Sequence, residues 1–68
     1  MTVKELMKLL KEMPKEKHLF EVVVAKDAEG NGFSPLTEMT VEKYVPENSY
    51  SGELGSGKKN SVVLWPTN

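Results

Sequence analysis

The chain has 68 residues, no cysteine, one histidine, and nine basic against ten acidic side chains. A chain this short can form only one small domain, over residues 1–68, and its lack of cysteine excludes a disulfide framework and a zinc site built from Cys and His. The near balance of charge excludes the strong positive field of a general nucleic-acid-binding protein, so any basic site must be local.

A helix is predicted from about Val3 to Met13. Thr2 and Glu5 have the spacing of a capping box, in which each side chain accepts a hydrogen bond from the other residue's amide. Pro14 ends the helix because proline disfavours helical geometry in the residue before it. The residues that recur at the spacing of one apolar helical face are Val3, Leu6, Met7, Leu10 and Met13. The opposite face, which is typical of a solvated surface, carries Lys4, Lys8, Lys11 and Lys15.

Three strands are predicted after a turn that runs from Pro14 to Lys17. The run from Leu19 to Ala25 is rich in β-branched residues and too short for a second helix, and the run from Val62 to Trp65 has the same character. Between them, Met39 to Val45 alternates loosely, which favours a half-exposed strand. The predicted fold class is therefore α+β, with one N-terminal helix packed on a small, mainly antiparallel three-stranded sheet and a long flexible loop before the last strand.

That loop, from Asn48 to Asn60, contains three glycines and three serines without periodicity, which indicates a mobile connection. Loops of this length are uncommon in compact domains and are often functional. The stretch from Gly52 to Lys59 imitates the phosphate-binding pattern G-x-x-x-x-G-K-[ST], but Lys59 replaces the required hydroxyl and a strand follows where the pattern needs a helix. A glycine-rich loop with adjacent lysines can nevertheless offer amide donors and positive charge to a phosphate.

The candidate ligand-binding residues come from this loop. Tyr50 lies between polar residues, where an aromatic side chain can stack on a base or anchor an interface. The alternative for Tyr50 is packing over the open sheet face, and the alternative for the lysines is a solvated, flexible segment. The candidates are Tyr50, Ser51, Lys58, Lys59 and Asn60.

No metal, cofactor or catalytic residue is predicted. The stretch from Asp27 to Glu38 nearly fits a calcium-binding loop, but Glu29 occupies its third position, Pro35 interrupts it, and strands rather than helices flank it. We therefore expect a turn in which the residues from Gly30 to Gly32 take positive φ angles. His18 begins a predicted strand without a nearby Ser or Asp arrangement that would activate it, so we do not expect an enzyme.

The apolar residues of the sheet need more cover than the chain provides. One helix covers only one face of a three-stranded sheet, and a chain of this size has a thin stability margin without disulfides. We therefore expect the protein to bind itself as a homodimer or a higher oligomer. No stretch approaches the roughly 20 apolar residues of a transmembrane helix, and the amino terminus lacks the apolar core of a signal peptide. We expect a cytoplasmic protein without a membrane partner.

Four segments together resemble small uncharacterised proteins of tailed bacteriophages. They read TVKEL, EVVVA, EGNGF and VVLWP, and they begin at Thr2, Glu21, Glu29 and Val62. Proteins of this kind often act as host-takeover or anti-defence factors in the host cytoplasm, and some are oligomeric sponges that hold nucleotide immune signals at subunit interfaces.

The resemblance and the lysine-bearing loop together imply a non-enzymatic binding protein. Its ligand is expected to be a small phosphorylated molecule, and its function to be an oligomeric sponge that sequesters a nucleotide-derived host immune signal. The alternative is a module that inhibits a host defence or metabolic enzyme by direct contact. A structural or regulatory accessory protein is a third possibility that no particular residue favours.

Overall fold

The structure is a computed structural model that describes residues 1–67. Its elements in chain order are α1 (Val3–Lys11), the 3-10 helix η1 (Lys15–Leu19), β1 (Val23–Ala25), β2 (Phe33–Pro46), β3 (Gly52–Gly55) and β4 (Ser61–Pro66). The strands pair antiparallel, and the α+β class is confirmed. The sheet has four strands rather than the predicted three, because β3 forms inside the segment for which the sequence predicts a long loop.

The capping box at the start of α1 forms as predicted. The Glu5 amide donates to Thr2 Oγ1 at 3.1 Å, and the Thr2 amide donates to Glu5 Oε1 at 3.0 Å. The bond from the Thr2 backbone is the largest cause that holds the pKa of the Glu5 carboxyl below its ordinary value. The helix ends at Lys11 with Glu12 as its C-cap, two residues before the predicted end at Met13.

The segment predicted as the first strand divides into two parts. Only Val23–Ala25 forms β1, while the turn predicted from Pro14 continues as η1 through Leu19. Tight turns hold this segment, since the Lys17 amide donates to the Pro14 carbonyl at 2.9 Å and the Phe20 amide donates to the Lys17 carbonyl at 3.0 Å. The apolar composition of the segment could not show that these local bonds shorten the strand.

The fourteen-residue strand β2 pairs with all three other strands. Its first residues pair with β1, its middle with β4 and its last residues with β3. The predicted strand from Met39 to Val45 is therefore the second half of a longer one. Because its turn to β3 is short, β2 and β3 form a hairpin in which the Glu47 amide donates to the Ser51 carbonyl at 3.0 Å.

The strands β1 and β4 lie on opposite edges of β2. In the peptide between Pro35 and Leu36, the N–H donates to the Val22 carbonyl and the C=O accepts from the Thr67 amide, both at 3.0 Å. The pairing register with β4 shifts after Leu36, at a β-bulge. In a strand, the backbone N–H and C=O groups of successive residues point to opposite edges, and the extra residue of the bulge interchanges the two sets.

The strand β3 shares an edge of β2 with β1. The backbone groups of Tyr44 point to the edge of β4, where they bond to Asn60, so β3 must bond to the odd-numbered residues of β2 at the other edge. Within residues 1–67, this leaves the backbone of β2 open from Thr37 to Glu42 on the edge between β1 and β3. We call this stretch the open edge.

The described chain has no buried side chain. Its accessible surface is 6232 Å², whereas a compact monomer of 7.6 kDa exposes about 4300 Å². Its radius of gyration is 13.8 Å, against about 11 Å for a compact domain of this length. The molecule is thus an open assembly of strands with a projecting helix, and its apolar residues remain in contact with solvent.

The predicted packing of the helix on the sheet is wrong for the single chain. The helix α1 makes no extended contact with any strand. Its last turn instead borders the segment that leads into β1, and the residues that line the groove between them include Leu10, Met13, Phe20 and Val22. Pro14 and η1 separate α1 from β1 along the chain.

Gly52 provides a test of the hairpin geometry. A Cβ at this position would lie 2.5 Å from the Val45 carbonyl oxygen and 2.6 Å from the Tyr44 ring. We expect Gly52→Ala to lower the free energy of unfolding by about 1–3 kcal/mol, because backbone must move. Gly32→Ala is the matched control, since its Cβ would meet only a lysine side chain at 3.6 Å. Urea denaturation followed by tryptophan fluorescence measures both variants, and equal stabilities would contradict the clash.

Candidate functional site

The five candidate ligand-binding residues lie at the two ends of β3. Tyr50 and Ser51 belong to the turn between β2 and β3, whereas Lys58, Lys59 and Asn60 belong to the connection from β3 to β4. All five are exposed. Because β3 has four residues, about 13 Å of strand separates the two groups. One subunit therefore does not bring the five residues together in one pocket.

The connection from β3 to β4, residues 56–60, crosses β2 from one edge to the other, and we call it the lysine loop. It leaves β3 opposite Lys43 and enters β4 opposite Glu42, on the other edge. The two outer strands are separated by two strand spacings, about 10 Å, which five residues span easily. The sequence predicts a mobile segment of thirteen residues here, but only these five and the hairpin turn lie outside the strands.

Asn60 anchors the base of the lysine loop. Its side-chain Oδ1 accepts from the Tyr44 amide at 2.8 Å, and its Nδ2 donates to the Tyr44 carbonyl at 3.1 Å. Its own amide donates to the Glu42 carbonyl at 3.0 Å, and the Ser61 hydroxyl donates to its Oδ1 at 2.9 Å. The Asn60 side chain thus replaces a backbone partner at the edge of β2, and both of its polar atoms bond to its own chain.

The tip of the lysine loop presents two adjacent positive charges. Gly57 takes a φ of 123°, a left-handed conformation that favours glycine, with no atom near the position of a Cβ. Lys58 and Lys59 follow directly and are exposed. The loop itself contains no acidic residue. Two ammonium groups on a loop whose base is fixed can attract a phosphate, for which lysine acts as a point charge.

The turn that contains Tyr50 is organised by Asn48, a residue that the sequence interpretation missed. Asn48 Oδ1 accepts from the amides of Tyr50 and Ser51 at 2.7 and 2.9 Å, and from the Ser51 hydroxyl at 3.3 Å. An asparagine that bonds the backbone two residues on is the signal that could have identified this turn. The Tyr50 side chain is 95% exposed, so it does not pack over the sheet in the single chain.

The calcium-like stretch forms a turn closed by Asp27. Its Oδ1 accepts from the amides of Glu29 and Asn31 at 2.9 and 3.2 Å, and its Oδ2 accepts from Asn31 Nδ2 at 2.9 Å. The Asn31 side chain is the largest cause that holds the pKa of Asp27 below its ordinary value. Gly30 has a positive φ of 74° as predicted, but Asn31 and Gly32 do not. The carboxylate of Asp27 closes this turn with a single left-handed residue.

No cluster of three or more His, Asp or Glu side chains within residues 1–67 is arranged to hold a metal ion. His18 lies in η1 rather than at the start of a strand, and its Nε2 donates to the Met13 carbonyl at 3.2 Å. This bond links η1 to the end of the preceding helix. The visible contact of His18 is therefore structural.

None of the known protein families, curated proteins and solved structures compared with the chain matches it. In the part of the chain that the structure describes, neither helix has the length and apolar character needed to cross a membrane. Function must therefore be inferred from the surfaces, loops and charges of the molecule itself.

Asn60 provides a test of the anchored loop. We expect Asn60→Ala to lower the free energy of unfolding by about 1–3 kcal/mol, because the Tyr44 amide and carbonyl both lose their partner. Lys58→Ala is the matched control in the same loop, and as an exposed substitution it should change stability by less than about 0.5 kcal/mol. Chemical denaturation measures both variants. If Asn60→Ala were as stable as the control, Asn60 would not anchor the loop.

Asp27 makes the stability depend on pH. Its pKa in the folded chain lies below the ordinary value of 3.8, so its contribution is present above that value and is lost as the pH falls through the folded pKa. We expect the unfolding free energy of Asp27→Asn to fall less steeply than that of the wild type between about pH 4 and pH 2.

Urea denaturation at a series of pH values measures this difference. Glu29→Gln is the matched control, because Glu29 bonds to Asp27 through its backbone amide rather than through its carboxylate. This variant keeps every hydrogen bond to the Asp27 carboxylate, so the acid dependence that Asp27 contributes should remain. Parallel curves for Asp27→Asn and the wild type would show that the turn does not retain its hydrogen bonds in solution.

Proposed function

We propose that this protein is a non-enzymatic binding protein that works as a homo-oligomer and captures a small phosphorylated ligand. The observation that carries the proposal is the lysine loop, which presents Lys58 and Lys59 beside a base held by the Asn60 side chain. A loop that is already held at its base loses less conformational freedom when it binds. The two ammonium groups favour a ligand with a doubly charged phosphate or with two phosphates.

A complete ligand site requires more than one subunit. Small-molecule sites bury most of their ligand, whereas the concavities of the described chain are open grooves. Tyr50 is exposed, and about 13 Å of strand separates it from Lys58 and Lys59 of the same chain. In an oligomer, Tyr50 of one subunit stacks on the ligand while Lys58 and Lys59 of another bind its phosphate.

The ligand class follows from these two kinds of contact. An aromatic side chain stacks on a nucleobase, and adjacent lysines neutralise phosphate charge. We therefore propose a nucleotide-derived molecule, such as a cyclic dinucleotide or an ADP-ribose derivative. The resemblance to phage proteins would make this ligand a host immune signal, and the protein an anti-defence sponge in the host cytoplasm.

The open edge of β2 favours a second function. Unpaired backbone groups between Thr37 and Glu42 can pair with a strand from another protein, and the exposed Met39 and Val41 add apolar contacts there. The protein would then block a host defence or metabolic enzyme by direct contact. In this case, substitution of the lysine loop would leave the inhibition unchanged.

The two functions are separated by the double variant Lys58→Ala/Lys59→Ala. We expect calorimetry with a panel of cyclic dinucleotides and ADP-ribose derivatives to detect binding to the wild type and at least a tenfold weaker affinity for the variant, a loss of about 1.4 kcal/mol. Stability should be unchanged, because both side chains are exposed. Native mass spectrometry of the purified protein reports the subunit number and any retained ligand.

The matched control is Lys4→Ala/Lys8→Ala, which removes the same charge from α1. Its affinity should equal that of the wild type, since these lysines lie outside the loop. If the wild type bound no member of the panel, the ligand class would be contradicted. If both double variants lost affinity equally, the loss would come from net charge rather than from the lysine loop.

A further inference from the structure

Within residues 1–67, the apolar face of α1 is only partly covered. Leu6 is half-buried, but the other members of this face are between 46% and 54% exposed, and they are Val3, Met7, Leu10 and Met13. The helix has a continuous apolar stripe on one side and lysines on the other, which is the pattern of a helix that packs on an apolar surface. The strands of its own chain do not provide this surface, since α1 makes no extended contact with them.

One face of the sheet offers a matching surface, which we call the apolar sheet face. The pairs Met39–Leu64 and Val41–Val62 place four apolar side chains on the same side of β2 and β4. Val45 follows on that side by the alternation of the strand, with Lys43 between it and Val41. The five side chains are between 37% and 66% exposed. The helix and the sheet of one chain therefore each present an apolar surface that is about half exposed to solvent.

The area that the chain leaves exposed fits the interface of a homodimer. The accessible surface of 6232 Å² exceeds that of a compact monomer of this mass by about 1900 Å². Two chains together would need to cover about 3800 Å², which lies within the roughly 2000–5000 Å² that obligate homodimers bury. A second copy of the chain is therefore enough to complete the fold.

The two segments that carry these surfaces have net charges of opposite sign. Residues 1–19, which include α1 and η1, contain five lysines and three glutamates. Residues 33–66, which include β2, β3 and β4, contain four glutamates and three lysines. Opposite net charges guide the helical segment of one copy to the sheet of another. When the contact is made in both directions around a two-fold axis, it closes the assembly as a dimer.

We propose that two copies of this chain form a dimer in which α1 of each subunit packs on the apolar sheet face of the other. The inference rests on the proposed function, because it specifies the homo-oligomer, but it is independent of the ligand. Pro14 and η1 separate the helix from the strands of its own chain, and the half-exposed apolar face of the helix is available to a neighbouring subunit. The exchange buries both apolar surfaces without any change in the fold of either chain.

A cross-linking experiment tests the exchange. The natural chain has no cysteine, so the variant Met7→Cys/Val41→Cys carries one thiol on the apolar face of α1 and one on the apolar sheet face. We treat the folded protein with a short bis-maleimide and analyse it on a denaturing gel and by peptide mass spectrometry. We expect loss of the monomer band to a dimer whose linked peptides join Cys at position 7 to Cys at position 41 of the other chain.

The matched control is Lys8→Cys/Val41→Cys, which moves the helical thiol to the polar face, and it should remain mainly monomeric on the gel. A link within one chain would overturn the proposal, because the helix would then close on its own sheet. Equal yields for the two variants, or no link in either, would also overturn it. Wild-type protein is examined in parallel by sedimentation equilibrium, where a mass twice 7.6 kDa is expected and a monomer would reject the dimer.

Calorimetry on the same wild-type preparation separates this inference from the ligand proposal. A dimer that binds none of the nucleotide panel would leave the helix exchange intact and reject the ligand class. A monomer that binds a member of the panel would reject both the exchange and the site shared between subunits, and would retain only the ligand class. The variant Met7→Glu provides a second test by sedimentation equilibrium. It places a charge in the interface and should be monomeric, whereas Lys8→Glu should remain a dimer like the wild type.

Discussion

The backbone hydrogen bonds of β2 are the interaction on which the rest of this structure depends. With no side chain buried within residues 1–67, the single chain is held mainly by the pairing of β2 with three antiparallel strands. The strand can serve three partners because a β-bulge after Leu36 changes the direction of its backbone groups. The same bulge leaves the open edge between β1 and β3. It also places β3 and β4 on opposite edges of β2, so the lysine loop crosses from one edge to the other.

A hydrogen-bonded sheet without a core has direct consequences for function. Net hydrogen-bond contributions are modest, and the burial of apolar surface is the dominant favourable term in folding. A chain that exposes Met7, Met39 and Val41 therefore gains stability when another surface covers them. The proposed exchange of α1 would provide that cover and would also bring the loops of two subunits into one assembly, which is what a shared pocket for a phosphorylated ligand requires.

Several features could be predicted from the sequence because short-range physics determines them. The capping box of Thr2 and Glu5 depends only on residues three apart, and it forms with both hydrogen bonds. The α+β class follows from one amphipathic run and several β-branched runs. The hairpin turn at Asn48 is equally local, because its side chain accepts from the amides two and three residues on. Gly30 takes the predicted positive φ, whereas Asn31 and Gly32, the two residues after it, do not.

The amino-acid sequence by itself determined the class of fold, the start of the helix, the absence of disulfides and the position of two lysines next to each other. Only the tertiary structure decided that β3 exists, that the candidate ligand-binding residues divide into two groups, and that Asn60 anchors a loop by bonding to Tyr44, sixteen residues away. The reason is that strand pairing joins backbone groups irrespective of side chain, so the register, the edge and the crossing of a loop depend on long-range contacts that no local pattern encodes.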